Sequence, residues 1–210
     1  MHNFNGMHLR NSGIYGSDLT VAKTASAFAT LAAFIAIFVG SLVLLGWQFD
    51  IDIIKSGFSS SGTTIKVNTA LCFIFSGVSL LLLPKEEGLG FRERLLGEMR
   101  KYSLWGLFLS VSPSLIAKCC GFLVFLVGLV TLGEYSFGWD FGIDQLFLPD
   151  STIVSWGIAH PGRMGLNKSL NFVFIGLALQ ILSEQRGRWS YYYAQILVLV
   201  ASLISLLALV

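Results

Sequence analysis

The sequence predicts an all-α fold: a polytopic transmembrane helix bundle of about five spans, built from tandem helical hairpins. Three observations predict it. The chain is 54% hydrophobic and 12% charged, with a mean hydropathy of +0.72, whereas charged residues make up about a quarter of a soluble domain. Its apolar residues fall in runs of spanning length separated by polar stretches. A skeleton also recurs: Asn68-Thr-Ala-Leu71-Cys-Phe73-Ile-Phe75-Ser-Gly77-Val-Ser-Leu80 returns as Asn167-Lys-Ser-Leu170-Asn-Phe172-Val-Phe174-Ile-Gly176-Leu-Ala-Leu179. Six identical positions at one fixed offset, without gaps, mark an internal repeat.

Residues 1–24 are polar, rich in Gly and Asn and without apolar periodicity, and are expected to form a mobile cytoplasmic tail. Residues 25–84 make the first hairpin. Its outgoing span, 25–46, is too long for a signal-peptide core, which runs about 7 to 15 residues; Trp47 follows it at interfacial depth. Ala29, Ala32, Ala33, Ala36 and Gly40 recur at helical spacing and let a neighbouring helix approach closely. Residues 48–64, with Asp50, Asp52 and Lys55, are too polar for hydrocarbon and form an outer loop. The return span, 65–83, is closed by Pro84 and barely crosses a core of about 30 Å.

Residues 85–112 hold Lys85, Arg92, Arg94, Arg100 and Lys101, with Phe91, Leu95, Met99 and Tyr102 at helical spacing. That pattern predicts an amphipathic connector on the cytoplasmic surface. Residues 113–183 form the second hairpin, with spans at about 115–135 and 166–182; its outer loop, 137–165, carries Trp139, Phe141 and four ionisable candidates discussed below. The aromatic residues of that loop are expected to fold onto the bilayer surface or over the mouth of the bundle. Residues 184–210 make a cytoplasmic turn and open a third hairpin, with a fifth span from about 194; the missing return helix suggests a sequence that continues past Val210 into one more span and a cytoplasmic domain.

Counting Lys and Arg orients the bundle. Arg10, Lys23, Lys85, Arg92, Arg94, Arg100, Lys101, Lys118, Arg186 and Arg188 fall on the side of the N-terminus, against Lys55, Lys66, Arg163 and Lys168 on the other. The positive-inside rule then puts the N-terminus in the cytoplasm.

Candidate ligand or interhelical polar sites are Asn68, Asn167, Asn171, Glu134, Asp140, Asp144, His160 and Arg163. Asn68 and Asn167 are equivalent in the repeat: they could line a site between the hairpins, or cap their helices and bond nearby backbone. Asp140, Asp144 and His160 share the second outer loop, where solvation is the plainer reading, since no metal-ligand spacing is present. Arg163 follows the Pro161-Gly162 turn and can face lipid headgroups, Asp144 or Asp150. Gly77 and Gly176 mark close helix crossings. Cys72, Cys119 and Cys120 show neither disulfide nor zinc spacing and read as small buried residues.

No nucleophile elbow, phosphate loop or zinc-protease motif is present, so no catalytic residue and no cofactor or metal is expected. The net charge of +2 gives no reason to expect nucleic acid as a partner. The lipid bilayer is the expected partner, with self-association as a dimer left open.

The phrases Leu132-Gly-Glu-Tyr-Ser-Phe-Gly-Trp-Asp-Phe-Gly-Ile-Asp144-Gln-Leu-Phe and Pro161-Gly-Arg-Met-Gly-Leu-Asn167-Lys-Ser-Leu-Asn-Phe resemble the N-terminal membrane region of bacterial signalling proteins. The family is that of PAS-containing sensor histidine kinases and GGDEF diguanylate cyclases, many of them cyanobacterial or proteobacterial. The resemblance covers about residues 45–210; where that family commonly has Pro before the Asn, this chain has Val67 and Leu166. It implies a membrane-embedded input and anchoring region in the bacterial inner membrane, with kinase or cyclase chemistry in a downstream domain. A small standalone structural or accessory protein that docks a partner through its Ala/Gly faces is the alternative, and a transporter or channel half ranks behind it.

Overall fold

A computed structural model describes residues 5–57, 64–83, 112–142, 163–184 and 188–208. Six helices occur among them: α1 (Asn5–Gln48), the single turn α2 (Asp52–Lys55), α3 (Val67–Leu82), α4 (Pro113–Phe137), α5 (Leu166–Glu184) and α6 (Arg188–Leu207). No strand is present among the described residues. Four helices are long and apolar enough to cross a membrane, over Lys23–Gln48, Pro113–Phe137, Leu166–Glu184 and Trp189–Leu207. The fifth, α3, has 16 residues and spans about 24 Å at 1.5 Å per residue. Phe28, Phe34, Phe38, Phe122, Leu129, Leu199 and Leu206 stand exposed on the helix surfaces. That surface suits lipid, because a water-soluble monomer rarely shows so much contiguous apolar area.

The segment expected as a tail is helical from Asn5 onward, so α1 runs 44 residues, about 66 Å. No proline interrupts it. Once the apolar span has nucleated a helix, each further residue adds a hydrogen bond without a new nucleation cost. The expected connector at 85–112 lies outside the described residues, except for Ser112. That side chain accepts a hydrogen bond from the Leu115 N–H at 3.3 Å and caps α4, whose first residue is Pro113. The last helix begins at Arg188, ahead of the expected 194, and takes in Trp189, Tyr191, Tyr192 and Tyr193.

The helices pack in chain order, α1 on α3, α3 on α4, α4 on α5 and α5 on α6, and α3 also touches α5. Glycine sets the close crossings. A Cβ on Gly40 would lie 2.6 Å from the Ala70 carbonyl oxygen, and one on Gly77 would lie 2.6 Å from that of Ala33. In the second hairpin a Cβ on Gly128 would lie 2.8 Å from the Ser169 carbonyl oxygen, and one on Gly176 would overlap the backbone nitrogen of Phe125. The hairpins meet chiefly where α3 packs on α4, and their return helices touch as well: Phe73 and Phe172 pack edge to face at 5.5 Å beside a core of Cys72, Val124 and Met164. Polar bonds that lipid cannot supply cross the helix interfaces: Ser79 Oγ donates to the Ala117 carbonyl at 2.8 Å, Gln180 Nε2 to that of Lys118 at 2.6 Å, and Asn171 Nδ2 to Ser205 Oγ at 2.8 Å.

These contacts extend the repeat to the outgoing helices. Ala70 and Ser169 are related by the 99-residue offset of the return helices, whereas Gly40 and Gly128 are 88 apart. At 88 residues α1 and α4 share Ser26/Ser114, Ala29/Ala117, Phe34/Phe122, Val39/Val127, Gly40/Gly128, Leu44/Leu132 and Phe49/Phe137. The second connecting loop is therefore 11 residues longer than the first, which hides the outgoing repeat from a gapless comparison.

Candidate functional site

The described polar side chains with the most specific arrangement gather where each outgoing helix ends and its return helix begins. In the first hairpin Trp47, at the end of α1, donates its Nε1–H to the Ile65 carbonyl at 2.8 Å. In the second, Tyr135 of α4 donates its hydroxyl to the Met164 carbonyl at 3.1 Å. Trp47 and Tyr135 are 88 residues apart and Ile65 and Met164 are 99 apart, so the two bonds are equivalent. Each aromatic residue also carries a cation: the Lys55 ammonium lies 5.2 Å from the Trp47 ring centre, and the Arg163 guanidinium 5.5 Å from that of Tyr135. Each hairpin is thus latched by an aromatic side chain, a backbone carbonyl two residues before the return helix, and a cation over the ring.

The latches differ in what holds the cation. Lys55 has a buried side chain in α2 and pairs with Asp50, and with Asp52 at 3.3 Å, both exposed. Asp50 sits in the left-handed region (φ 56°), which Asp tolerates better than most residues, and its backbone turns the chain out of α1. The hydrogen bond that Lys55 donates to Asp50 raises the Lys55 pKa above the ordinary lysine value, against the effect of burial, and Asp52 acts in the same direction. The Ile65 N–H donates to the Lys55 carbonyl at 2.7 Å, tying α2 to the start of the return helix.

In the second latch the cation is held from within. Arg163 and Glu134 are buried, with side chains 3% and 0% exposed, and Arg163 Nε lies 3.4 Å from Glu134 Oε2. Glu134 Oε1 accepts the Phe141 N–H at 3.0 Å, and Arg163 Nη2 donates to the Trp139 carbonyl at 3.2 Å. Asp140 Oδ1 accepts the Gly142 N–H at 3.1 Å and lies 3.8 Å from Arg163 Nη2. A buried carboxylate and a buried guanidinium are tolerated together because each neutralises the other and both satisfy backbone groups. Glu134 occupies the place of Gly46, 88 residues earlier. There a Cβ would lie 2.7 Å from Ile54 Cγ2, so α2 fills the space that a carboxylate fills in the second hairpin.

Of the residues singled out from the sequence, the fold brings Glu134, Asp140 and Arg163 together. Asn68 and Asn167 are each the second residue of their helix and neither is its N-cap, contrary to the capping reading; Asn68 is buried and Asn167 exposed. The repeat matches their positions along the helix but not their neighbours. Asn171 lies between α5 and α6. Asp144 and His160 lie outside the described residues. Cys119 is exposed, unlike Cys72 and Cys120. Among the described residues no group of three or more His, Cys, Asp or Glu side chains could hold a metal ion. Sequence reading missed Trp47, Tyr135, Ile65 and Met164 as a repeated set, and Lys55 as the cation of the first latch, which neither offset relates to Arg163. The signal was the second offset of 88, visible only once the loops are allowed different lengths. No family model, curated protein or solved structure matches the chain.

Proposed function

We propose that the chain is the membrane-embedded input and anchoring region of a bacterial signal-transduction protein, seated in the inner membrane with its N-terminus in the cytoplasm and carrying no catalytic residues of its own. The observation that supports this reading best is the doubled latch. Each connecting loop is bonded at once to the end of an outgoing helix and the start of a return helix. A stimulus that moves a loop must therefore change the geometry of its hairpin, and the return helices touch one another. Such a change acts as a switch when the stimulus stabilises one arrangement over another. Helix α1 continues about 27 Å past its apolar span at the end away from the latches, on the side that the distribution of Lys and Arg assigns to the cytoplasm.

The resemblance to the membrane regions of sensor kinases and diguanylate cyclases points the same way. The alternative, a standalone protein docking a partner through its Ala/Gly faces, has less support, because Ala33, Gly40, Gly77, Gly128 and Gly176 are consumed by packing within the hairpins. The mass of the native product, detected in membranes with an antibody to residues 92–101, tests the reading. A product much larger than 23.0 kDa carries an output domain; one of 23.0 kDa overturns the input-region reading in favour of the standalone protein.

A further inference from the structure

Phe137, Trp139 and Phe141 form a ladder at the end of α4. Phe137 and Trp139 stack at 4.7 Å and 22°, and Trp139 meets Phe141 edge to face at 5.6 Å. All three are more than half exposed, at 66%, 52% and 56%. Gly138 and Gly142, both in the left-handed region, bracket the turn that brings the rings together. Three contiguous aromatic side chains left in water would forgo a large part of their burial energy. From Phe137, the last residue of the span, they continue outward the exposed apolar surface of α4 that Leu115, Phe122, Leu126 and Leu129 form. That is the depth at which aromatic side chains favour the headgroup boundary.

The backbone of the ladder is not held by its own rings. Glu134 takes the Phe141 N–H and Arg163 bonds the Trp139 carbonyl, so the buried ion pair fixes the ladder from behind. Arg163 also lies three residues before the first residue of α5, next to the latched Met164 carbonyl. We propose that the ladder seats in the interfacial layer of a phospholipid bilayer, and that the Glu134–Arg163 pair couples its position in that layer to the first turn of α5. This deepens the input role by naming the state of the lipid interface as the stimulus; it rests on that role for its consequence, while the lipid contact and the coupling stand without it.

The test uses the full chain in phosphatidylcholine vesicles brominated either near the glycerol or near the chain end. The fluorescence difference between wild type and Trp139→Phe isolates Trp139. Expected is stronger quenching by the shallow bromines and shielding from aqueous iodide; free access to iodide, or stronger quenching by the deep bromines, overturns the proposal. For the coupling, amide exchange at Phe141, Lys168 and Ser169 is compared between short-chain and long-chain phosphatidylcholines. Wild type is expected to change about fivefold, the equivalent of roughly one net hydrogen bond. Trp139→Ser removes the lipid contact and keeps the ion pair, whereas Glu134→Gln keeps the rings and breaks the pair by removing the carboxylate charge; both are expected to lose the lipid dependence. Trp139→Ser changes an exposed residue and keeps the test decisive should Glu134→Gln fail to fold. No lipid dependence in wild type, or a dependence unchanged in Trp139→Ser, overturns the coupling. The native product's mass is unaffected by any of these results, so the input reading and the lipid contact can fail separately.

Discussion

Tyr135 and Trp47 each contribute one hydrogen bond to a carbonyl just before the return helix of their hairpin. Tyr135→Phe keeps the ring under Arg163 and removes only the hydroxyl, so it should cost about 1 kcal/mol, read as denaturant unfolding in micelles. Glu134→Ala should cost roughly 3–5 kcal/mol, because it leaves the Arg163 charge buried without its carboxylate. Thr131, one turn before Glu134, buries a hydroxyl without a hydrogen-bond partner, and its equivalent 88 residues earlier is the buried Val43. Thr131→Val should therefore stabilise the protein by up to about 1 kcal/mol. Lys55 titrates higher in the fold than in the unfolded chain. Its contribution is fully present below the unfolded value of about 10.4 and is lost as pH rises through the higher folded value. Unfolding of the wild type should show an added loss of stability above about pH 10.5 that Lys55→Met lacks, small because both carboxylates are exposed.

Among the elements, α1 and α3 approach so closely that glycine is needed at the contact, and the same holds for α4 and α5. Gly77→Ala would place a Cβ 2.6 Å from a backbone oxygen of α1, and the helices must separate to admit it. The expected cost is about 1–3 kcal/mol in the same unfolding measurement. Gly133, in α4, has nothing within 4 Å of the added carbon. Gly133→Ala should gain up to about 1 kcal/mol from helix propensity. Opposite signs at two helical glycines would separate packing from propensity; a loss at both would show that the crossing distance is not what Gly77 sets.

The described residues form two copies of one hairpin followed by α6, with the copies joined by α3 on α4, through Ser79 and Ala117, and by a smaller contact between their return helices. On the proposed topology, five crossings from a cytoplasmic start would put residue 210 outside. A reporter active only in the cytoplasm, fused after Val210, should be silent; activity there would mean an even number of crossings, α3 being the one short enough to fall out of the count.

The sequence alone determined that this is a helical membrane protein, that it holds about five apolar helices and that its return helices repeat. Those features depend on hydrophobicity summed over neighbouring residues and on a periodicity that survives within one helix. Its charged candidates were legible as residues but not as pairs: Glu134 reads as the end of a span and Arg163 as a turn, 29 positions away. Only the tertiary structure decided that they meet, that Asn68 is buried while Asn167 is exposed, and that the outgoing helices repeat at a different offset. Burial and hydrogen-bond partners are set by which distant elements close on a residue, and a loop that grows by 11 residues breaks the register along the chain while leaving the packed helices in the same relation.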